Sequence, residues 1–272
     1  MRRAVLLAPL CLLACNPPDE APPVVDGPTV RMDFSRREGF FRAPFPSEDL
    51  RTADGVDLSR WPNPARQRYV QALIDLAAGT RGFATSSTIY LPLTDEPDAA
   101  QLPSPAQSVR GESPVFVWDL DRHERAPVTV RWMSDGGPYG ADDLLTLVPV
   151  QGIPLRANTR YAAVALRTLR LARGGTFSTA RAVTELAAGR SAGLAELPAT
   201  AYRSALADLA RANIHAADLA GLTVFRTGDP VAELRTFLDD ARARPLPTPA
   251  TPLVRTDVFP TCWYDGIRMV AW

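Results

Sequence analysis

Val115-Phe116-Val117-Trp118-Asp119 and Val128-Thr129-Val130-Arg131-Trp132 decide how this chain is read. Both runs are rich in β-branched and aromatic residues, and the polar segment between them, Leu120-Asp121-Arg122-His123-Glu124-Arg125, has the makings of a turn. Such a pair predicts two strands joined as a hairpin. Working outward, Ser87 to Leu93 reads as a further strand, with Pro92 favouring a sheet edge because proline has no N–H to give to a ladder. Leu144 to Pro149 follows, then Thr159 to Leu169, the longest strand candidate, with Tyr161, Ala163, Ala165 and Arg167 sharing one face. Leu222 to Thr227 is the last. No strand–helix alternation runs through the chain, so a parallel sheet is not expected. The fold class predicted is mainly β with helical additions, an Ig-like antiparallel β-sandwich plus several α-helices.

The helical additions show a different period. Pro64 to Ala78 predicts a helix capped by Asn63, with Tyr69, Val70, Leu73, Ile74, Leu76 and Ala77 at helical spacing. Ala182 to Ala188 and Pro198 to Ala212 predict two more. Asp229 precedes a helix starting at Pro230 whose Val231, Leu234, Phe237, Leu238 and Ala241 are expected to form a buried stripe. Phe40 to Leu50 is too interrupted by proline for a helix and predicts an extended crossing segment. The chain of 272 residues carries 17 glycines and 26 prolines with 46% apolar residues. That is too apolar for a disordered chain and ample for a core.

Thirty basic residues face 30 acidic ones, and every basic residue is arginine. A neutral chain lacks the field that draws nucleic acid, so that partner is excluded. Absence of lysine excludes Schiff-base chemistry and a P-loop. Met1-Arg2-Arg3 is a positive start, and Ala4 to Leu13 is apolar but too short to span a bilayer, which together predict an export signal. Leu12-Leu13-Ala14-Cys15 resembles the lipobox of bacterial lipoproteins. The resemblance implies cleavage before Cys15, a diacylglycerol thioether and an acylated amino terminus there, and loss of Cys11. Asn16, standing where a retention signal would have Asp, implies the outer membrane or cell surface. Processing would leave Cys262 as the one thiol, which excludes an internal disulfide.

The expected organisation is therefore a signal peptide over 1–14, a proline-rich tether over 15–33 and an N-terminal segment over 34–109. An Ig-like sandwich over 110–228 follows, with a helical insertion at about 178–219. A C-terminal helix over 229–244 and a proline-rich linker with an aromatic tail over 245–272 complete it.

Several patterns suggest chemistry. Gly189-Arg190-Ser191-Ala192-Gly193 matches the G-x-S-x-G nucleophile elbow, which requires a sharp strand-to-helix turn. The preceding residues read as helix, and His215 with Asp208 follows too soon for a hydrolase triad, so Ser191 is expected in an exposed loop. Asp119, Asp121 and His123 alternate as metal ligands on one strand face would, against the simpler reading of a polar hairpin tip. Asp135-Gly136-Gly137 and Asp142-Asp143 read as turn residues. Trp118 and Trp132 are weighed as a sugar platform and as core. Cys262 as a nucleophile finds no histidine close in sequence. No catalytic residue, metal or cofactor is expected; the site residue assigned is Cys15, for lipidation.

Phe45-Pro46-Ser47-Glu48-Asp49-Leu50 and Gly82-Phe83-Ala84-Thr85-Ser86-Ser87-Thr88-Ile89 resemble the N-terminal region of bacterial lipase-like lipoproteins. Leu147-Val148-Pro149, then Pro154 to Tyr161, and Val224 to Pro230 are similar to the Ig-like domain of the same family. The resemblance covers about 34 to 235. In that family an α/β-hydrolase domain follows and carries the triad. About twenty residues follow the proline-rich linker here, so the expectation is a truncated relative without the hydrolase, and no family catalytic role transfers to any residue. The resulting expectation is a lipid-anchored envelope protein with a non-catalytic binding or spacer module. Its partners would be the membrane, through the anchor, and an envelope protein or polymer as ligand. The alternatives are an esterase or lipase with an unrecognised site and an accessory subunit of a separate hydrolase.

Overall fold

The structure, a computed structural model, describes residues 27–245. Cys15, Cys11, Cys262, the signal and most of the expected tether and tail lie outside the described residues. The chain divides into a body ending at Pro230 and a second unit from Val231.

Seven strands are described: β1 (Ile89–Pro92), β2 (Val115–Asp119), β3 (Glu124–Ala126), β4 (Val128–Met133), β5 (Leu144–Pro149), β6 (Arg160–Leu166) and β7 (Leu219–Arg226). They form two antiparallel sheets, ordered β1-β5-β4 and β3-β2-β6-β7. Five α-helices accompany them: α1 (Arg68–Ala78), α2 (Pro105–Ser108), α3 (Arg181–Ala187), α4 (Glu196–Arg211) and α5 (Ala232–Ala243). Helical residues outnumber strand residues, so the mainly β expectation is corrected to a mixed architecture of antiparallel sheets and helices.

The expected hairpin is also corrected. Val115–Asp119 does pair across the polar turn, but with β3: Val117 faces Ala126 and Asp119 faces Glu124. β4 belongs to the other sheet, where Val130 faces Leu147 and Trp132 faces Leu145. Pro127 separates β3 from β4. Without an N–H it cannot extend the β2–β3 ladder, and the chain changes sheet at that residue.

β6 is one of the two inner strands of its sheet, between β2 and β7. Tyr161 to Ala165 are buried without alternation, so both faces of the strand are covered there. Strands covered on both sides read as continuous apolar runs, and α3 and α4 pack against the neighbouring β7. Gly221 in β7 lets the first described segment lie close: a Cβ there would stand 2.5 Å from Cβ of Val30. Val30 is 1% exposed and bridges Leu93, so the packed chain starts before Phe34, and the stretch free to act as a tether is shorter than 15–33.

β1 is the outer strand of its sheet, as Pro92 suggested. Phe45 lies beside it, exchanging backbone hydrogen bonds with Tyr90 at 3.0 and 2.6 Å. The Phe40–Leu50 segment, expected to be extended throughout, is extended only in its middle, between 3-10 turns at Phe40–Arg42 and Glu48–Leu50. Its rings cluster on Trp61, with centroids 4.9 Å from Phe40 and 5.2 Å from Phe45. Apolar side chains of both sheets and of α1, α3 and α4 join one hydrophobic cluster.

Two helices depart from expectation. α1 starts at Arg68, not Pro64, because Arg66 takes a left-handed φ of 48°. Asn63 still accepts from the Gln67 N–H at 2.9 Å, closing a turn ahead of the helix. Of the apolar positions of α1, only Ile74 is buried. In the second unit, α5 starts at Ala232 and none of its residues is buried, which overturns the expected buried stripe.

Candidate functional site

The tip of the β2–β3 hairpin is the most polar part of the body that sequence reasoning singled out. Asp119 is 2% exposed at the end of β2. Its Oδ1 accepts from the N–H groups of Asp121 and Arg122 at 3.0 and 2.8 Å, and its backbone carbonyl accepts from the His123 N–H at 2.8 Å. His123 closes the turn with a φ of 58°, its side chain exposed. The second oxygen, Oδ2, meets Arg156 at 3.0 Å. Asp119 is therefore a turn organiser and the partner of an arginine.

Asp121 is bound differently. Its carboxylate accepts from Nε of Arg160 at 2.9 Å and from the Arg160 N–H at 3.1 Å. Burial works against the charged form, but these bonds and the Arg160 charge hold its carboxyl below the ordinary range. Arg160 also reaches Asp208 on α4 at 3.7 Å, and Asp208 pairs with Arg211. Carboxylate and guanidinium thus alternate from the hairpin tip through β6 to α4. Beneath them the Tyr161 hydroxyl accepts from the Arg156 N–H at 2.9 Å, and its ring stacks on Phe225 at 5.9 Å. Burial, with the Asp119 charge beside it, pushes the Tyr161 hydroxyl up to about 12.

No group of three metal-ligating side chains occurs among the described residues. Asp119 and Asp121 are engaged by arginines and backbone N–H groups, as the turn reading held. Asp135 likewise accepts from the Gly137 N–H at 2.7 Å, and Asp143, with a φ of 59°, meets Arg31 at 3.8 Å.

The candidate triad is not assembled. Gly189-Arg190-Ser191-Ala192-Gly193 joins α3 to α4, with left-handed φ at Gly189, Ala192 and Gly193, and Ser191 is exposed. A strand-to-helix elbow is absent at this motif. Asp208 is held by Arg160 and Arg211, and His215 is an exposed residue whose backbone N–H donates to the Asp218 carboxylate at 3.1 Å. Trp118 and Trp132 sit on different sheets, not on paired strands, and both indole N–H groups are buried without a partner among the described residues.

Two buried polar clusters escaped the sequence reading. Arg36 is 4% exposed, and all of its side-chain donors are used. Nε meets Asp49 at 3.0 Å, Nη2 reaches Asp49 at 3.4 Å and the Pro44 carbonyl at 2.7 Å, and Nη1 donates to the carbonyls of Ala43 and Phe40. The second cluster has a consistent direction. Thr223 donates to the Pro46 carbonyl, so Tyr202 donates to Thr223 across 3.3 Å and Ser47 donates to Tyr202 across 2.7 Å. This relay ties the crossing segment, α4 and β7 together. Burial, first, and the Asp49 charge raise the Tyr202 hydroxyl well above the usual range for tyrosine. Nothing in the local spacing of Arg36, Ser47 or Thr223 marks them, because their partners lie on other elements. Only the resemblance-bearing stretch Phe45–Leu50 pointed near them.

A polar cavity of about 220 Å³ lies beside Arg36, lined also by Ser35, Asp49, Asp57 and Arg60. With the donors of Arg36 spent internally, its floor is a closed structural network. A second cavity, about 310 Å³, is lined by Leu102, Gln107, Arg110, Glu112 and Thr168.

No protein-family model matches the chain, and a search of curated proteins finds no match.

Proposed function

We propose that this is a lipid-anchored protein of the cell envelope, held at Cys15, whose body is an Ig-like sandwich acting as a non-catalytic binding or spacer module. The observation that carries this reading is how the reactive side chains are used. Asp119, Asp121 and Asp208 are engaged by arginines, and the Arg36 donors and the Ser47–Tyr202–Thr223 hydroxyls hold separate segments together. These groups act as struts. Two antiparallel sheets contributing to one hydrophobic cluster support the sandwich reading. The charged start, short apolar stretch and Leu-Leu-Ala-Cys box support the anchor. The ligand class proposed is an envelope protein or polymer, with the outer membrane or cell surface as the location.

The competing esterase reading gives a direct test. Purified protein is expected to hydrolyse p-nitrophenyl acetate and butyrate no faster than buffer, with Ser191→Ala indistinguishable from the parent chain. Turnover removed by Ser191→Ala would contradict the proposal.

A further inference from the structure

The outer strand β4 leaves part of its backbone unanswered. The Val150 N–H donates to the Pro127 carbonyl, which sets the phase of the β4–β5 ladder. Thr129, Arg131 and Met133 turn their N–H and C=O groups toward β5, and Val128, Val130 and Trp132 turn theirs outward. The Val128 N–H is closed at once by Ser108 Oγ on α2, at 3.0 Å. The outward N–H and C=O groups of Val130 and Trp132 have no partner among the described residues. Val130 is 7% exposed, and backbone groups so far from water are almost always paired. The body closes its other long sheet edges: Phe45 and Arg31 bond to the outer side of β1, and Phe83 and Ala180 to that of β7. β3 has three residues only.

We propose that the outer edge of β4 accepts an extended segment of another protein, added antiparallel as a further strand. The repeat of the unanswered groups selects a polypeptide. A donor and an acceptor recur on every second residue, about 7 Å apart, which an extended backbone matches group for group. Side chains narrow the partner further. Arg131 stands exposed between Val130 and Trp132 without an ion pair among the described residues, and Met133 on the same face is 38% exposed. The incoming strand sets an acidic residue across from Arg131 and an apolar one across from Met133. This gives the binding reading a partner class and rests on that reading for the partner's place in the envelope.

A second copy fits this edge poorly. Twofold pairing centred on Arg131 places that arginine against its own copy at the closest cross-strand distance. Pairing centred on Val130 or on Trp132 needs the Val128 N–H or the Ser134 carbonyl. Those are already bound, to Ser108 and to the Asp143 N–H at 3.3 Å.

The test uses the chain from Asn16 to Trp272 and the peptide acetyl-Thr-Val-Thr-Glu-Thr-Val-Thr-amide, read by residue-resolved amide hydrogen exchange. Without peptide, the Val130 and Trp132 N–H groups are expected to exchange about tenfold or more faster than those of Thr129, Arg131 and Met133. Peptide at about 1 mM should slow both severalfold. Methylating the backbone nitrogens of the two threonines beside the glutamate should abolish the slowing. Arg131→Glu, an exposed change expected to leave the melting temperature nearly unchanged, should favour a peptide with lysine in place of glutamate by about threefold, where the parent favours glutamate. No slowing, slowing that survives methylation, or a preference indifferent to Arg131→Glu would overturn the proposal. Protection of both amides in a peptide-free monomer would do the same, and in a peptide-free dimer would assign the edge to a second copy. Failure of the non-catalytic reading shows elsewhere: ester turnover lost in Ser191→Ala would overturn that reading and leave the exchange pattern at β4 intact.

Discussion

Asp119 shows how one side chain commits a region to structure. Its two oxygens serve different masters: one gathers the turn N–H groups, the other holds Arg156. Removing it takes the acceptor from two part-buried turn N–H groups and the partner from Arg156, at a cost of about 1–3 kcal/mol. Asp119→Ala is therefore expected to lower the melting temperature by roughly 2–12 °C, as seen by circular dichroism. Arg156→Gln should cost much less, because the guanidinium is 41% exposed and can be replaced by water. Equal effects of the two substitutions would show that the turn bonds contribute little. Arg36 makes the same point with opposite charge: a buried cation whose donors are all answered stabilises a crossing segment that contains little regular structure.

Between elements, the tyrosines of β6 and α4 set a testable pH dependence. Tyr161 is pushed up to about 12 and Tyr202 is raised further, so both stay neutral in the fold after an unfolded tyrosine would have ionised. For a group whose folded pKa is raised, the stabilisation is complete below the unfolded value, about 10, and is lost as pH climbs through the folded one. The urea midpoint should fall from about pH 10 upward. Because the chain has no lysine, few other side chains titrate in that window. Tyr202→Phe is expected to be less stable at neutral pH, through loss of the Ser47 bond, yet to show a shallower alkaline decline. An unchanged slope would contradict the assignment. The same elements show what could be read from sequence. β5 was legible to the residue, because Leu144–Pro149 is a continuous apolar run bounded by polar turns. The partner of β2 was not: Glu124–Ala126 is polar and three residues long, and sheet switching at Pro127 is a tertiary choice. Helical spacing on α1 and α5 was legible too, but spacing says that a face is apolar and not what covers it. Ser191 was correctly expected in an exposed loop because helix, not strand, precedes it. The Arg36 and Tyr202 clusters could not be seen, since they join residues as far apart as Ser47 and Tyr202.

Across the body, polar groups join one segment to another, and the proposed function combines that use with the proposed amino-terminal signal. Among the described residues no helix is long and apolar enough to cross a membrane; the attachment proposed is through Cys15. The ester assay probes whether the body catalyses and does not ask whether it is anchored. Metabolic labelling with an alkyne analogue of palmitate does so most directly. The account predicts label on the parent protein, recovered in the membrane fraction, and none on Cys15→Ala. Label persisting on Cys15→Ala, or none on the parent while it is exported and folded, would contradict it.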